Sequence, residues 1–263
     1  MEKKQRHPIL FVGAGPGDPE LITVKGMKAL KVTDLIIYAG SLVPEKVLTW
    51  ARPDAEKINS AGLDLEAIIH EMVDGYSNGK KVVRLHTGDP ALYGAIQEQI
   101  NELKREGIPF RIIPGVTAAF AAAAAIGKEF TIPEISQSLI FTRMAGRTPV
   151  PEEESLESLA AHKTSMAIYL SVSKIEEVCS ILGRSYGKTA PAAVVYRVSQ
   201  PEEKIIRTGI SDMAARVREE NIEDHAIIIV GKFLDAKEEH PDKRSKLYDK
   251  NFAHKYRPHQ VVE

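Results

Sequence analysis

Three short runs in this sequence combine glycine with groups able to meet a ligand: VGAGPGD (residues 12–18), HTGDPALYG (86–94) and PGVT (114–117). Each follows a β-rich apolar run and precedes a segment with helical spacing, so each lies where a strand hands over to a helix. Glycines there let the chain turn sharply and let a ligand approach the backbone, and the helix N-terminus that follows favours an anion. The first run therefore reads, at first sight, as a dinucleotide loop. Two details oppose that reading. Pro16 removes a backbone donor from the loop, and DLIIYAG ends in Ala39 and Gly40 instead of the acid that would hold a ribose. Taken alone, the run is equally well a structural glycine turn.

In the second run Gly88 and Pro90 flank Asp89 and stiffen the turn that carries its carboxylate. Asp89 is either a functional acid or a turn-former. With His86 and Tyr93 it makes the candidate set for handling a proton. Thr117 in the third run is as good a helix cap as a ligand. Open α/β sheets bind ligands outside the carboxyl ends of their strands, so three such loops on one edge mark a pocket. A fourth feature is SLIFTRMAGRTPVPEEE, where Arg143 and Arg147 stand with no acid between Ser136 and Pro151. Guanidinium forks bind carboxylates bidentately, so this is either a carboxylate clamp or a basic surface loop ahead of an acidic helix start. His70 and His225 read as structural, and Cys179 as a small core residue on the apolar stripe of Ile175, Val178 and Ile181.

The elements that must position these residues alternate. HPILFVGAG, DLIIYAG, EKINS, KVVRLHTG and FRIIPG read as strands, with helical segments ELITVKGMKALKV, PEKVLTWA, DLEAIIHEMVDGYSNG and GAIQEQINELKREG between them. That pattern predicts a mainly parallel sheet covered on both faces. After the alanine-rich VTAAFAAAAAIG the texture changes. The strands SLIFTRM, SMAIYLSV, AAVVYRV, EKIIRTG and AIIIVGKF include a pair joined by the hairpin loop VSQPEEK, which predicts a mixed sheet and a second domain. The expected organisation is an α/β domain over 1–115, a second over 116–236 and a polar tail over 237–263, whose three histidines read as solvated and not as metal ligands.

A net charge of −1 in 263 residues argues against a protein built on nucleic-acid backbone contacts, so an anionic substrate would need a local arginine cluster. No apolar run approaches membrane-spanning length, and the first residues lack a signal-peptide pattern. The expected setting is the cytoplasm, with no membrane, nucleic-acid or metal partner.

GAGPGDPELITVKGMKAL, HTGDPALYGAIQEQ and IIPGVTA, in this order, resemble the tetrapyrrole methylase family, with likeness reaching to about Lys232. Within it, TGDPALYGAIQEQ, SQSLIFTRMAGRTPVPE and LAAHKTSMAIYLS resemble the branch acting at C-11 of precorrin-4 or cobalt-precorrin-4 in cobalamin biosynthesis. Ala39 and the Thr87-Gly88-Asp89-Pro90 run depart from the uroporphyrinogen-III branch. The resemblance implies two α/β domains, a homodimer, and S-adenosylmethionine bound in the cleft between the domains and leaving as S-adenosylhomocysteine. It places the cofactor near Pro16, Gly88, Asp89, Leu92, Thr117, Ala118, Leu170, Tyr196, Arg197, Val198 and Ala226. It also makes the first glycine loop, with Gly15, a border of the substrate trough and not a pyrophosphate cradle. The anionic macrocycle would then meet Arg143 and Arg147, with Arg84, Arg111 and Arg197 as further hypothetical partners. Competing expectations are another acceptor on the same fold (a different corrin carbon, ribosomal RNA, the diphthamide precursor) or a nucleotide-binding module without turnover.

Overall fold

The computed structural model describes residues 6–235, 245, 252–253 and 255–257. Contacts divide the chain into two compact units, Met1–Ala122 with Arg197–Glu203, and Ala123–Tyr196 with Lys204–Glu263. The division thus falls seven residues past the Gly115/Val116 junction expected from sequence, inside the alanine-rich helix, and it returns the segment Arg197–Glu203 to the first unit.

The first unit alternates strands β1 (Ile9–Gly13), β2 (Leu35–Tyr38), β3 (Glu56–Asn59), β4 (Val82–His86) and β5 (Phe110–Ile113) with helices α1 (Val24–Leu30), α2 (Leu65–Ser77) and α3 (Ile96–Arg105). Helix α4 (Ala118–Ala125) follows β5. All strand pairs are parallel, in the order β3-β2-β4-β1-β5. Strands β1 and β4 are central and largely buried on both faces, as a sheet covered on both sides requires; β1 is apolar throughout, whereas one face of β4 carries Arg84 and His86 beside Val82. Val12, Ile36, Val83 and Leu85 pack on one face with Leu30 of α1. Ile9, Phe11 and Ile37 pack on the other with Met72 of α2 and Leu103 of α3. Each such side chain, fully buried, stabilises the fold by roughly 1.5–3 kcal/mol.

Two expected helices are shorter or tighter than their spacing suggests. In ELITVKGMKALKV only Val24–Leu30 is α-helical, because Thr23 is extended and caps the helix by accepting from the Gly26 amide at 3.1 Å. In PEKVLTWA the residues Glu45–Trp50 form a 3₁₀ helix after Pro44. Asp64 caps α2 through the Ala67 amide at 2.8 Å. By contrast α3 starts from a left-handed Ala95 (φ 46°) with no side-chain cap, so contacts elsewhere shape the loop before it.

The second unit contains β6 (Leu139–Arg143), α5 (Leu156–Ala160), β7 (Ser165–Tyr169), α6 (Ile175–Tyr186), β8 (Pro191–Tyr196), β9 (Lys204–Gly209), α7 (Ile210–Glu219) and β10 (Ala226–Val230). Its sheet is mixed, in the order β6-β7-β10-β8-β9, with β6 parallel to β7 and the other pairs antiparallel. Met166, Ile168, Val194 and Ile228 from the sheet meet Val178, Leu182 and Met213 from α6 and α7. Cys179 is half-buried against this cluster, and burial pushes its thiol up, which suits a packing residue and not a nucleophile.

The parallel first sheet and mixed second sheet are those the strand pattern predicts. Among the described residues no helix is long and apolar enough to cross a membrane, and no group of three His, Cys, Asp or Glu could hold a metal ion. The histidines of the tail, His240, His254 and His259, lie outside the described residues.

Candidate functional site

Strands β1 and β4 are neighbours, yet α1 packs on one face of the sheet and α3 on the other. That is a topological switch point, where a parallel sheet ordinarily opens a crevice for a ligand. Here backbone closes it. Gly15 N–H donates to the Gly88 carbonyl at 3.2 Å, and Gly88 N–H donates back to the Gly15 carbonyl at 2.8 Å. The loop after β5 presses on the same point, since a Cβ on Gly13 would lie 2.6 Å from both Gly115 Cα and the Gly88 oxygen. These glycines are needed for loop-on-loop packing. A pyrophosphate has no opening here, so the objection that Pro16 raised against a dinucleotide loop gains a structural reason.

Asp89 ties the same loops together. Its Oδ1 accepts from the Ala91 amide at 2.8 Å, shaping the turn, and its Oδ2 accepts from the Gly115 amide at 2.8 Å. Turn-former and inter-loop strut are therefore its visible roles. Pro16, Gly88, Leu92, Thr117 and Ala118 sit with it on the carboxyl ends of β1, β4 and β5, and Arg197 and Val198 belong to the same unit. Tyr93, left-handed at φ 55°, is 43% exposed on this edge. No Lys or Arg occurs in 12–18, 86–94 or 114–118, whereas Asp18 and Asp89 do. Such a set is poorly matched to phosphate and well matched to a cationic sulfonium.

Two candidates on β4 point into the fold. Arg84, expected as a carboxylate partner, is only 5% exposed, and its guanidinium donates to Gln99 Oε1 at 3.1 Å, the Ile37 carbonyl at 3.2 Å and Ser60 Oγ at 3.0 Å. We correct that expectation: Arg84 braces β4 to its neighbours and is not available at the surface. His86, 6% exposed, stacks on Phe11 at 5.9 Å, and its Nε2 has no hydrogen-bond partner among the described residues. Burial, reinforced by the Arg84 charge, pushes its pKa down to about 3, so it is neutral at physiological pH and carries no proton to donate as an imidazolium.

This histidine has a stability consequence. Between about pH 6.5 and 3 the unfolded chain protonates at this position and the folded chain does not. Its contribution is thus full above about pH 6.5 and is lost as pH falls toward 3. His86→Phe, which keeps a ring on Phe11, is expected to reduce the stability lost between pH 7 and pH 5 by about 2 kcal/mol in urea titrations. Equal losses in both proteins would remove His86 from the acid response.

In the second unit the candidate residues also gather at one end of the sheet. Tyr196 ends β8 opposite Ala226, which begins β10, and Arg143 ends β6 opposite Tyr169 on β7. Leu170 follows β7 with a left-handed backbone (φ 52°) and is 68% exposed. Arg143 is turned inward on its own loop, donating to the carbonyls of Met144 at 3.2 Å, Thr148 at 3.2 Å and Pro149 at 2.8 Å. It therefore shapes the turn that presents the exposed Arg147. Arg111 is exposed on the edge strand β5, and Arg197 lies 3.9 Å from Glu202. Two residues of the expected hairpin loop, Ser199 and Gln200, were absent from the sequence-based candidates and touch the loop after β1. The signal was the length of that loop, too long for a tight turn and rich in polar groups.

Comparison with known proteins gives a consistent picture. The model of the tetrapyrrole (corrin/porphyrin) methylases matches residues 8–214. A cobalt-precorrin-4 C(11)-methyltransferase of Methanocaldococcus jannaschii is 53% identical over 250 residues, 95% of this chain and 95% of that protein. A solved cobalt precorrin-4 methyltransferase superposes with a TM-score of 0.84 at 46% identity, over 86% of this chain and 95% of that one. A uroporphyrin-III C-methyltransferase from Thermus thermophilus, solved with S-adenosylhomocysteine, has a TM-score of 0.72 at 27% identity, over 88% of this chain and all of that one.

Proposed function

The chain belongs to the tetrapyrrole (corrin/porphyrin) methylases, and from that membership we infer that it is an S-adenosylmethionine-dependent methyltransferase acting at C-11 of cobalt-precorrin-4 in cobalamin biosynthesis. The observation that carries the reading is the 53% identity running through 95% of both chains. The cobalt form is favoured over metal-free precorrin-4 because both that relative and the solved structure at 46% identity bear the cobalt name. The cobalt is part of the substrate.

When bound, the cofactor supplies a methyl already activated on a sulfonium; the C-11 to methyl bond forms as the sulfur to methyl bond breaks, leaving S-adenosylhomocysteine. What the protein must add is alignment and exclusion of water, and alignment alone is able to contribute about 7–11 kcal/mol to lowering the barrier. The laced edge of Gly13, Gly15, Gly88, Asp89 and Gly115 provides stiffness for that purpose. Tyr93, exposed beyond the carboxyl end of β4, offers apolar and polar surface for an adenosine, and the absence of Lys and Arg from 12–18, 86–94 and 114–118 leaves that edge free of cations that would repel the sulfonium.

Arg147 is the side chain proposed to meet an acetate or propionate of the macrocycle. Arg147→Ala is expected to raise KM for the tetrapyrrole about tenfold, the loss of one charge-assisted hydrogen bond, with the cofactor Kd unchanged. An unaltered KM would remove it from the substrate site. We also propose, on the family resemblance alone, that the enzyme is a cytoplasmic homodimer; a monomeric mass by light scattering would overturn the dimer.

The test of the function is calorimetric titration with S-adenosylmethionine and with NAD, followed by cobalt-precorrin-4 or precorrin-4 and mass spectrometry of the product. Cofactor binding and one added methyl mapped to C-11 is the expected result. Methylation elsewhere would move the acceptor carbon, and binding of NAD alone would overturn the reading.

A further inference from the structure

The seven residues between β8 and β9 group with the first unit and end against the loop that follows β1. Ser199 Oγ accepts from the Asp18 amide at 3.0 Å, and Gln200 Nε2 donates to the Pro16 carbonyl at 3.3 Å. A Cβ on Gly17 would lie 2.3 Å from Gln200 Cγ, so the glutamine stem fills the space beside the third glycine of GAGPGD. The segment is shaped to make these contacts. Arg197 (φ 42°) and Ser199 (φ 63°) are both left-handed without being glycine, a conformation that persists only where the surroundings over-determine it. Gln200 N–H donates to the Arg197 carbonyl at 3.0 Å to close the turn, and Ser199 N–H donates to Glu203 Oε2 at 2.7 Å to hold it.

We propose that Ser199 and Gln200 are positioning residues for methyl transfer, holding the main chain of residues 14–18 through Asp18 N–H and the Pro16 carbonyl. The inference rests on reading the carboxyl edge as the transfer site. Hydrogen bonds run without interruption from the Gly115 amide to Asp89, from Gly88 to Gly15, and from the Pro16–Asp18 loop to this tip. The strands themselves pin the first links, since Gly13 and His86 are still paired in the ladder. Beyond Gly15 the loop has left the sheet; the tip holds it at Pro16 and Asp18, and Trp50 Nε1 holds the next residue by donating to the Pro19 carbonyl at 3.0 Å. Neither residue need touch a ligand. Their effect reaches the reaction through the loop.

The test uses the full-length protein with Ser199→Ala, Ser199→Asn, Gln200→Ala and Gln200→Glu. Exchange of the Asp18 amide should quicken about tenfold or more in Ser199→Ala, whose acceptor is gone. Ser199→Asn should restore slow exchange, because asparagine tolerates the left-handed region and keeps an acceptor oxygen. Gln200→Glu has the same length but no donor, and its kcat/KM for cobalt-precorrin-4 should fall about tenfold at pH 8 while the melting temperature stays within a degree or so of wild type. Gln200→Ala should fall by a similar factor.

Unchanged Asp18 exchange in Ser199→Ala, or wild-type kcat/KM in both Gln200 variants, would overturn the proposal. Should the wild-type protein neither bind S-adenosylmethionine nor methylate, the functional reading fails by itself, and the exchange experiment still decides whether the tip holds the loop.

Discussion

Replacing Asp89 with Ala should lower kcat/KM about a hundredfold and leave the shape of the pH–rate profile unchanged, the size of effect that a misplacement of about 1 Å produces. Both carboxylate oxygens are engaged with main-chain amides, Ala91 within the turn and Gly115 across to the next loop. Alanine strands two donors, which costs about 1–3 kcal/mol for each that stays out of water. It also releases the β5–α4 loop from the β4–α3 loop, so that groups on the two no longer share one geometry. Asparagine is a poor rescue. With its oxygen toward Ala91, its amide group faces the Gly115 N–H donor to donor. Rates between pH 6 and 9 separate strut from acid or base: a strut lowers the whole profile, whereas loss of one limb in Asp89→Ala would make this carboxylate a proton carrier.

Gly115→Ala should be the most damaging single methyl in the first unit, destabilising it by about 3 kcal/mol, the upper part of the range for overpacking. The added carbon would stand 2.1 Å from the Gly88 oxygen and 2.8 Å from Gly13 Cα. Both neighbours are backbone, and Gly88 is held by its paired hydrogen bonds to Gly15, so no side chain can swing aside. Gly62→Ala is the matched control, because nothing lies within 4 Å of a Cβ at that position. Differential scanning calorimetry should place the melting of Gly115→Ala about 10 °C below wild type and that of Gly62→Ala beside it. A Gly115→Ala protein melting with wild type would mean that the three loops are not in contact in solution.

The order of strands, turns and helices was legible in the sequence, because apolar periodicity and glycine punctuation are local properties that neighbouring residues express together. The blocks GAGPGDPEL, HTGDPALYG and IIPGVTA also carried the family, and with it the sulfonium cofactor and the macrocycle. The objections to a dinucleotide site, Pro16 and the missing acid after DLIIYAG, were equally readable there.

What each polar group meets was decided only by the tertiary structure. Arg84 looks in the sequence like any strand arginine, and becomes a buried brace because α3 brings Gln99 and the turn after β3 brings Ser60 to it. Asp89 finds Gly115 across 26 residues because β1, which lies between β4 and β5, ends in the small residues Gly13, Ala14 and Gly15. Gln200 reaches Pro16 across 184 residues, from a loop whose own sequence says no more than turn. A side chain's type and backbone preference are written locally, but its partner depends on strand order, register and the path of distant loops, and those emerge only when the whole chain packs.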